Sequence, residues 1–202
     1  MLDGAMRKLI DPPVNAVGAA LASTGLSANG VTLIGLAFGL AAAATIAIGA
    51  FWWGLGFLLL SRLADGLDGA VARATQKTDF GGYLDIVCDF LFYGAIPLAF
   101  VLQDSASNAA ASAFLLTSFY FNGATFLGFA VLAEKKRMET NSRGTKSLYF
   151  TGGLLEGTET IGFFVLICLM PSYFASLAWV FGTMCFITAI SRILLARKVF
   201  PH

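Results

Sequence analysis

Histidine is almost missing from this sequence: the single copy, His202, is the last residue and is assigned no role. That scarcity excludes a histidine-based catalytic triad and leaves imidazole out of any metal site in the body of the chain. Cysteine is scarce as well. Cys88, Cys168 and Cys185 are scattered through apolar stretches without a CxxC pair, so neither zinc nor a disulfide framework is indicated, and buried thiols are expected. Charge is also in short supply, at 12% of 202 residues, against 57% hydrophobic residues and a mean hydropathy of +0.78. Such a composition excludes an ordinary soluble globular protein. No segment recurs with a period of about 20–50 residues, and the longest polar stretch, 134–147, is too short to separate domains. One domain over 1–202 is expected, and nucleic acid is not an expected partner.

What the chain has in quantity is long apolar runs. A membrane-crossing helix needs about 20 mostly apolar residues. Runs near 31–49, 52–73, 80–102, 109–133, 148–170 and 173–195 meet that need, which predicts an all-α, polytopic membrane protein with six transmembrane helices. Residues 1–26 combine Asp3, Asp11 and a Pro12-Pro13 break with no apolar run leading to a cleavage site, so a removable signal is not expected. They read as an interfacial segment whose helix breaks at the prolines, with Leu9, Ile10, Val14, Val17 and Leu21 on its apolar side.

Basic residues fix the expected orientation. Arg7 and Lys8 precede the first span, Arg73 and Lys77 lie between the second and third, and Lys135, Lys136, Arg137, Arg143 and Lys146 follow the fourth. Arg197 and Lys198 follow the sixth, whereas the intervening turns at 49–53, 103–108 and 170–173 hold no Lys or Arg. By the positive-inside rule both termini face the cytoplasm, as expected for an inner-membrane protein.

Against this background Asp65, Asp68, Asp85 and Asp89 fall within 25 positions. A charged side chain at the centre of a membrane segment costs about 2.5–3.5 kcal/mol on insertion scales, so four of them imply a cationic partner and a function. Residues three or four apart share a helix face, which pairs Asp65 with Asp68 and Asp85 with Asp89. The connection 74–80 is short, so the two helices are antiparallel neighbours with both pairs at similar depth, toward the cytoplasmic side. Carboxylates without His or Cys favour a hard cation, magnesium, manganese or calcium. Two such ions bridged by shared carboxylates suit displacement at phosphorus, because they neutralise a pyrophosphate and stabilise the departing oxygen. Gly66 and Gly69 leave room for a substrate to approach the helix.

Asp65, Asp68, Gly69, Ala72, Arg73, Gly81, Asp85 and Asp89 resemble, position by position, the signature D-x2-D-G-x2-A-R-x8-G-x3-D-x3-D of the CDP-alcohol phosphotransferase family. One departure is visible: seven residues, not eight, separate Arg73 from Gly81. The resemblance implies transfer of a phosphatidyl group from CDP-diacylglycerol, or of a phosphoalcohol from a soluble CDP-alcohol, to a hydroxyl acceptor with release of CMP. It implies two Mg2+ or Mn2+ ions held by Asp65, Asp68, Asp85 and Asp89, with Asp89 also the general base. Asp68, Gly69, Ala72, Arg73 and Gly81 would meet the nucleotide, and a homodimer among membrane lipids would be the assembly. Asn29 and Thr32 match an N-x-x-T that opens the first span in many relatives and lies near the diphosphate; taken alone, Ser27 or Asn29 is equally a helix N-cap.

Further charges remain. Arg62 stands one turn before Asp65, and Glu156 and Glu159 lie at the cytoplasmic end of the fifth span. They form either an ion pair between Arg62 and a glutamate that locks the bundle or part of an acceptor pocket. The basic loop holding Lys135 and Arg143 serves either topology and lipid contact or capture of an acceptor phosphate. Gly35 and Gly39 form a small-xxx-small surface for close helix packing. A membrane cation transporter is the alternative from another class, but transport sites favour the midplane and internal repeats, and neither is visible here.

Overall fold

The structure is a computed structural model that describes residues 3–136, 155 and 157–200, with side chains from Pro12 onward. Among the described residues it is helical throughout, with seven α-helices and one short 3-10 turn. Helix α1 runs Asp3–Ser23, α2 Ala28–Ala47, α3 Phe51–Ala74, α4 Asp79–Gln103 and α5 Ser105–Lys135. Helix α6 is Gly157–Leu169, and a turn at Pro171–Tyr173 leads into α7, Phe174–Val199.

Helices α2, α4, α5 and α7 with its leading turn are long and apolar enough to cross a membrane. Helix α3, at 24 residues, would reach about 36 Å, but its second half carries Arg62, Asp65, Asp68 and Arg73. The fold is that of a polytopic membrane protein, as the composition predicts. The 148–154 part of the expected fifth span, together with Arg137, Arg143, Lys146, Glu156 and His202, lies outside the described residues.

The expected break at Pro12-Pro13 is corrected: α1 is one helix with both prolines inside it. Proline removes an N–H donor and crowds the preceding turn, but its fixed φ is itself helical. The downstream half is also anchored. Gly18 is buried against Ala70 of α3, so close that a Cβ on Gly18 would collide with the Ala70 side chain. Leu21 and Ala22 add to a small apolar cluster with Val31, Ala64 and Val71, while Val17, expected on the apolar side, is exposed. Helix α1 therefore packs along the end of α3 that carries the charges.

The connections are short and chemically specified. Gly25 at φ 85° and Gly49 at φ 78° take the left-handed conformation that ends α1 and α2, where other residues would be strained. Ser27 caps α2 by accepting the Gly30 amide at 3.1 Å, Thr78 caps α4 by accepting the Gly81 amide at 3.0 Å, and Asp104 caps α5 by accepting the Ser107 amide at 3.1 Å. Hydrogen bonds to Ser107 hold the Asp104 carboxyl below its usual range.

Helix α2 packs against both α3 and α4, and Gly35 and Gly39 sit at those contacts. Gly35 faces Ala64 and the Ser61 carbonyl, and a Cβ built on Gly39 would stand 2.7 Å from Phe92 Cδ2. The small-xxx-small surface is thus used inside the chain. Away from it, α4, α6 and α7 share a phenylalanine core: Phe100 stacks on Phe174 at 4.3 Å, Phe163 on Phe181 at 4.2 Å, and Phe164 meets Phe92 edge-on at 5.7 Å. The phenylalanines of α5 join by packing, with Phe114 against Trp179 at 4.4 Å and Phe119 against Phe181 at 6.2 Å. Cys88, Cys168 and Cys185 are free and buried, as expected.

Candidate active site

The second half of α3 and the first half of α4 run side by side, and their aspartates converge. One carboxylate oxygen from each of Asp65, Asp85 and Asp89 lies within 4.8 Å of the others. All three side chains are partly buried. Asp68 lines the same pocket but is held separately: it is buried, and its Oδ2 accepts the Thr32 hydroxyl of α2 at 2.6 Å. The hydroxyl also lies 3.1 Å from the Ala28 carbonyl of its own helix, so α2 presents Thr32 to α3 from a fixed turn.

Arg62 enters the same group from one turn earlier on α3. Its Nη1 donates to Asp89 Oδ1 at 2.9 Å and lies 3.6 Å from Asp65 Oδ1. Nη2 donates to Ser61 Oγ at 3.2 Å, and the guanidinium carbon sits 4.0 Å above the centre of the Phe92 ring. Of the two expectations for Arg62, an ion pair with a glutamate is not seen among the described residues: its partners are the motif's own aspartates, because α4 places Asp89 directly across from it. Glu156 lies outside the described residues. Glu159 stands, partly buried, in the first turn of α6 and is not in the carboxylate cluster. Four carboxylates against one guanidinium leave the pocket strongly negative, and like charges so close repel unless a cation joins them.

The donor set fits a hard divalent ion. It is oxygen-only at the point of convergence, and the ligand atoms are spaced so that one or two small cations would touch several of them. Asp65, Asp85 and Asp89 are the residues placed to hold such an ion, with Asp68 at the pocket wall.

The remaining expected residues divide. Ser27, not Asn29, is the cap of α2; Asn29 instead faces the start of α4, where a Cβ on Gly81 would lie 3.1 Å from its Oδ1. Gly81 therefore leaves room for the Asn29 side chain between α2 and the start of α4. Gly66 opens onto free space on the exposed side of α3, and Gly69 has only the Arg73 Nη1 nearby, so both keep the helix surface accessible. Ala72 is partly buried beside them. Arg73 is exposed and donates from both Nε, at 3.1 Å, and Nη2, at 2.7 Å, to Asn15 Oδ1 of α1. Lys135 is exposed in the last turn of α5.

Sequence reasoning missed three contributors. Phe92 was legible, since it follows Asp89 by three residues and shares its face. Cys88 lines the pocket beside Leu36. Asn15 gives no local signal, because its role depends on α1 docking 58 positions away from Arg73.

The sequence profile of the CDP-alcohol phosphatidyltransferase family matches residues 25–197, the stretch that contains every one of these aspartates. The chain belongs to that family. Among the relatives of this chain, the inner membrane protein YnjF of Escherichia coli is 44% identical over 193 residues, covering 96% of this chain and 94% of its own length. Phosphatidylinositol phosphate synthase of Mycolicibacterium smegmatis is 43% identical over 82 residues, which cover 40% of this chain and 37% of that one. The fold is also that of the phosphatidylinositol phosphate synthase PgsA1 of Mycobacterium tuberculosis. The crystal structure of that enzyme with CDP-DAG bound superposes with a TM-score of 0.71 at 20% identity, covering 91% of this chain and 93% of that one. Its complex with manganese and citrate superposes with a TM-score of 0.67 at 21% identity, covering 90% and 87%.

Proposed function

We propose that this protein moves a phosphatidyl group from CDP-diacylglycerol to a hydroxyl acceptor, releasing CMP, in a reaction that requires Mg2+ or Mn2+. The observation that carries the reading is the convergence of Asp65, Asp85 and Asp89 from two adjacent helices of a membrane bundle. The likeness to PgsA1, crystallised with CDP-DAG and with manganese, supports the donor and the metal. Integral placement is supported by the inner-membrane relative and the apolar helices. The distribution of Lys and Arg supports a site and termini on the cytoplasmic side.

In this reading Asp65, Asp68 and Asp85 would be the main metal ligands, with Asp89 also within reach of the ion, and Thr32 would keep Asp68 in one orientation. A divalent ion there would neutralise the donor diphosphate and stabilise the CMP oxygen as it leaves. Asp89 takes the proton from the acceptor hydroxyl, which requires hydrogen-bond reach of its oxygen. The acceptor oxygen then bonds to the phosphorus that carries diacylglycerol, the bond from that phosphorus to the bridging oxygen breaks, and CMP departs with the electron pair. Gly66 and Gly69 keep α3 open to the nucleotide, and Asn29, which packs beside Gly81, would meet the diphosphate.

The transport alternative rests on intramembrane carboxylates alone, and membership of a transferase family accounts for those. The direct test supplies purified protein with CDP-diacylglycerol, Mn2+ and a panel of labelled alcohols, including inositol phosphate, glycerol 3-phosphate and serine. A new labelled lipid that requires one acceptor supports the proposal and names that acceptor. No lipid product from any acceptor, with the protein folded, would overturn it.

A further inference from the structure

Arg62 lies outside the eight-position signature, yet it is the cation built into the carboxylate group. Its side chain is only 9% exposed, and it reaches across from α3 to α4, taking Asp89 Oδ1 at 2.9 Å while standing 3.6 Å from Asp65 Oδ1. Two of the three converging carboxylates are therefore shared between the guanidinium and whatever cation joins the cluster.

The arginine is also held from behind. Phe92, wholly buried, lies under the guanidinium at 4.0 Å, and the Phe92 ring is fixed in turn by α2, where the missing Cβ of Gly39 makes its room. Ser61, which accepts from Nη2, abuts the same glycine: a Cβ there would lie 3.1 Å from its Oγ. Thus Gly39, Phe92 and Ser61 together aim one guanidinium at two aspartates. The aim is not set by satisfying the arginine itself. Nε is buried and has no acceptor among the described residues, although an arginine serving only to tie helices together would be expected to use its available donors.

We infer that Arg62 is a positioning residue for the reaction proposed above, on which this inference rests: it competes with divalent metal for Asp89 and Asp65. By engaging Oδ1 of Asp89, it keeps that carboxylate available as a base and stops it from being captured entirely as a metal ligand. Metal affinity is thereby set below what the four aspartates alone would give, and in exchange Asp89 stays in one orientation with its second oxygen available to the acceptor proton.

The test is made on full-length protein, first by titrating Mn2+ without substrate and following the free-ion signal by electron paramagnetic resonance. It then measures kcat and KM for CMP release with CDP-diacylglycerol and the acceptor that supports turnover. Arg62→Met should bind Mn2+ about tenfold more tightly, the effect of one unit of the interaction that a nearby opposite charge typically supplies. Its kcat should fall at least about tenfold with the donor KM within about threefold of wild type, a division expected when positioning rather than binding is lost. Arg62→Lys, which keeps the charge and loses the fork, should hold Mn2+ affinity within about threefold of wild type and still lose kcat; it answers the question if Arg62→Met does not fold. Unchanged or weaker Mn2+ binding in Arg62→Met, or a kcat in Arg62→Lys equal to wild type, would overturn the inference while the transferase reading stands. Wild-type protein that neither binds Mn2+ nor releases CMP would overturn both.

Discussion

The two ends of α4 are built on opposite principles. Its first half converges with α3, where Asp85, Asp89 and Asp65 come together beside Arg62 and where Gly66 and Gly69 leave the surface of α3 open. Its second half, from Phe92 to Phe100, lies in a core of stacked rings with α6 and α7 and carries no charge. In a membrane bundle, packing and dispersion must supply helix association, since the lipid is as apolar as the helices. The ring-filled half is therefore where stability resides, and the proposed function gives the reason the charged half is tolerated. Phe92 and Gly39 mark the joint between them: the same ring that closes the core floors the arginine.

That division predicts that each half can be broken without the other. The largest effect should come from Asp89→Asn, which removes the proposed base while conserving shape. Transfer should fall by about 10²–10⁴-fold, the usual contribution of a positioned base, while the thermal unfolding midpoint in detergent stays near wild type. Near-normal turnover would show that Asp89 is not the base.

Phe164→Ala is the opposite case. Removing a fully buried ring costs about 3–5 kcal/mol in soluble cores, so the unfolding midpoint should drop markedly while the protein that remains folded keeps its Mn2+ affinity. A loss of metal binding at full stability would contradict the division.

Gly39→Ala probes the joint. The added methyl meets Phe92 and Ser61, and overpacking of this kind costs about 1–3 kcal/mol. Here both measurements should move together, with reduced stability by thermal melt and reduced CMP release, because the displaced ring lies under Arg62.

The narrowest change is expected for Thr32→Val, which deletes the 2.6 Å hydrogen bond to Asp68 at nearly unchanged volume and should move the metal requirement while the unfolding midpoint stays near wild type. A hydrogen bond to a charged group contributes about 1.5–3 kcal/mol, which corresponds to roughly a ten- to hundredfold higher Mn2+ requirement for activity. An unchanged metal titration would remove Thr32 from the site.

The spacing of the aspartates and the length of the apolar runs carried most of this layout, because i, i+3 and i, i+4 periodicity and a short α3–α4 connection leave little freedom in how the two helices meet. The partner of Arg62 was not legible: periodicity places it on the face of Asp65, but only the register between α3 and α4 determines that Asp89, and not a glutamate, lies opposite. Pro12-Pro13 pointed locally to a break, and tertiary packing at Gly18 and Ala70 accompanies a continuous helix instead. The same docking brings Asn15 to Arg73, a contact with no trace in local sequence.

The most direct test of the central claim is CMP release from CDP-diacylglycerol by wild type and Asp85→Asn, side by side across a Mn2+ titration with a chelator control. The account predicts release by wild type that chelation abolishes, and release by the variant that is lost or needs far more Mn2+. Release by the two proteins that is equal at every metal concentration, low and high alike, would contradict a metal-centred role for the α3–α4 aspartates.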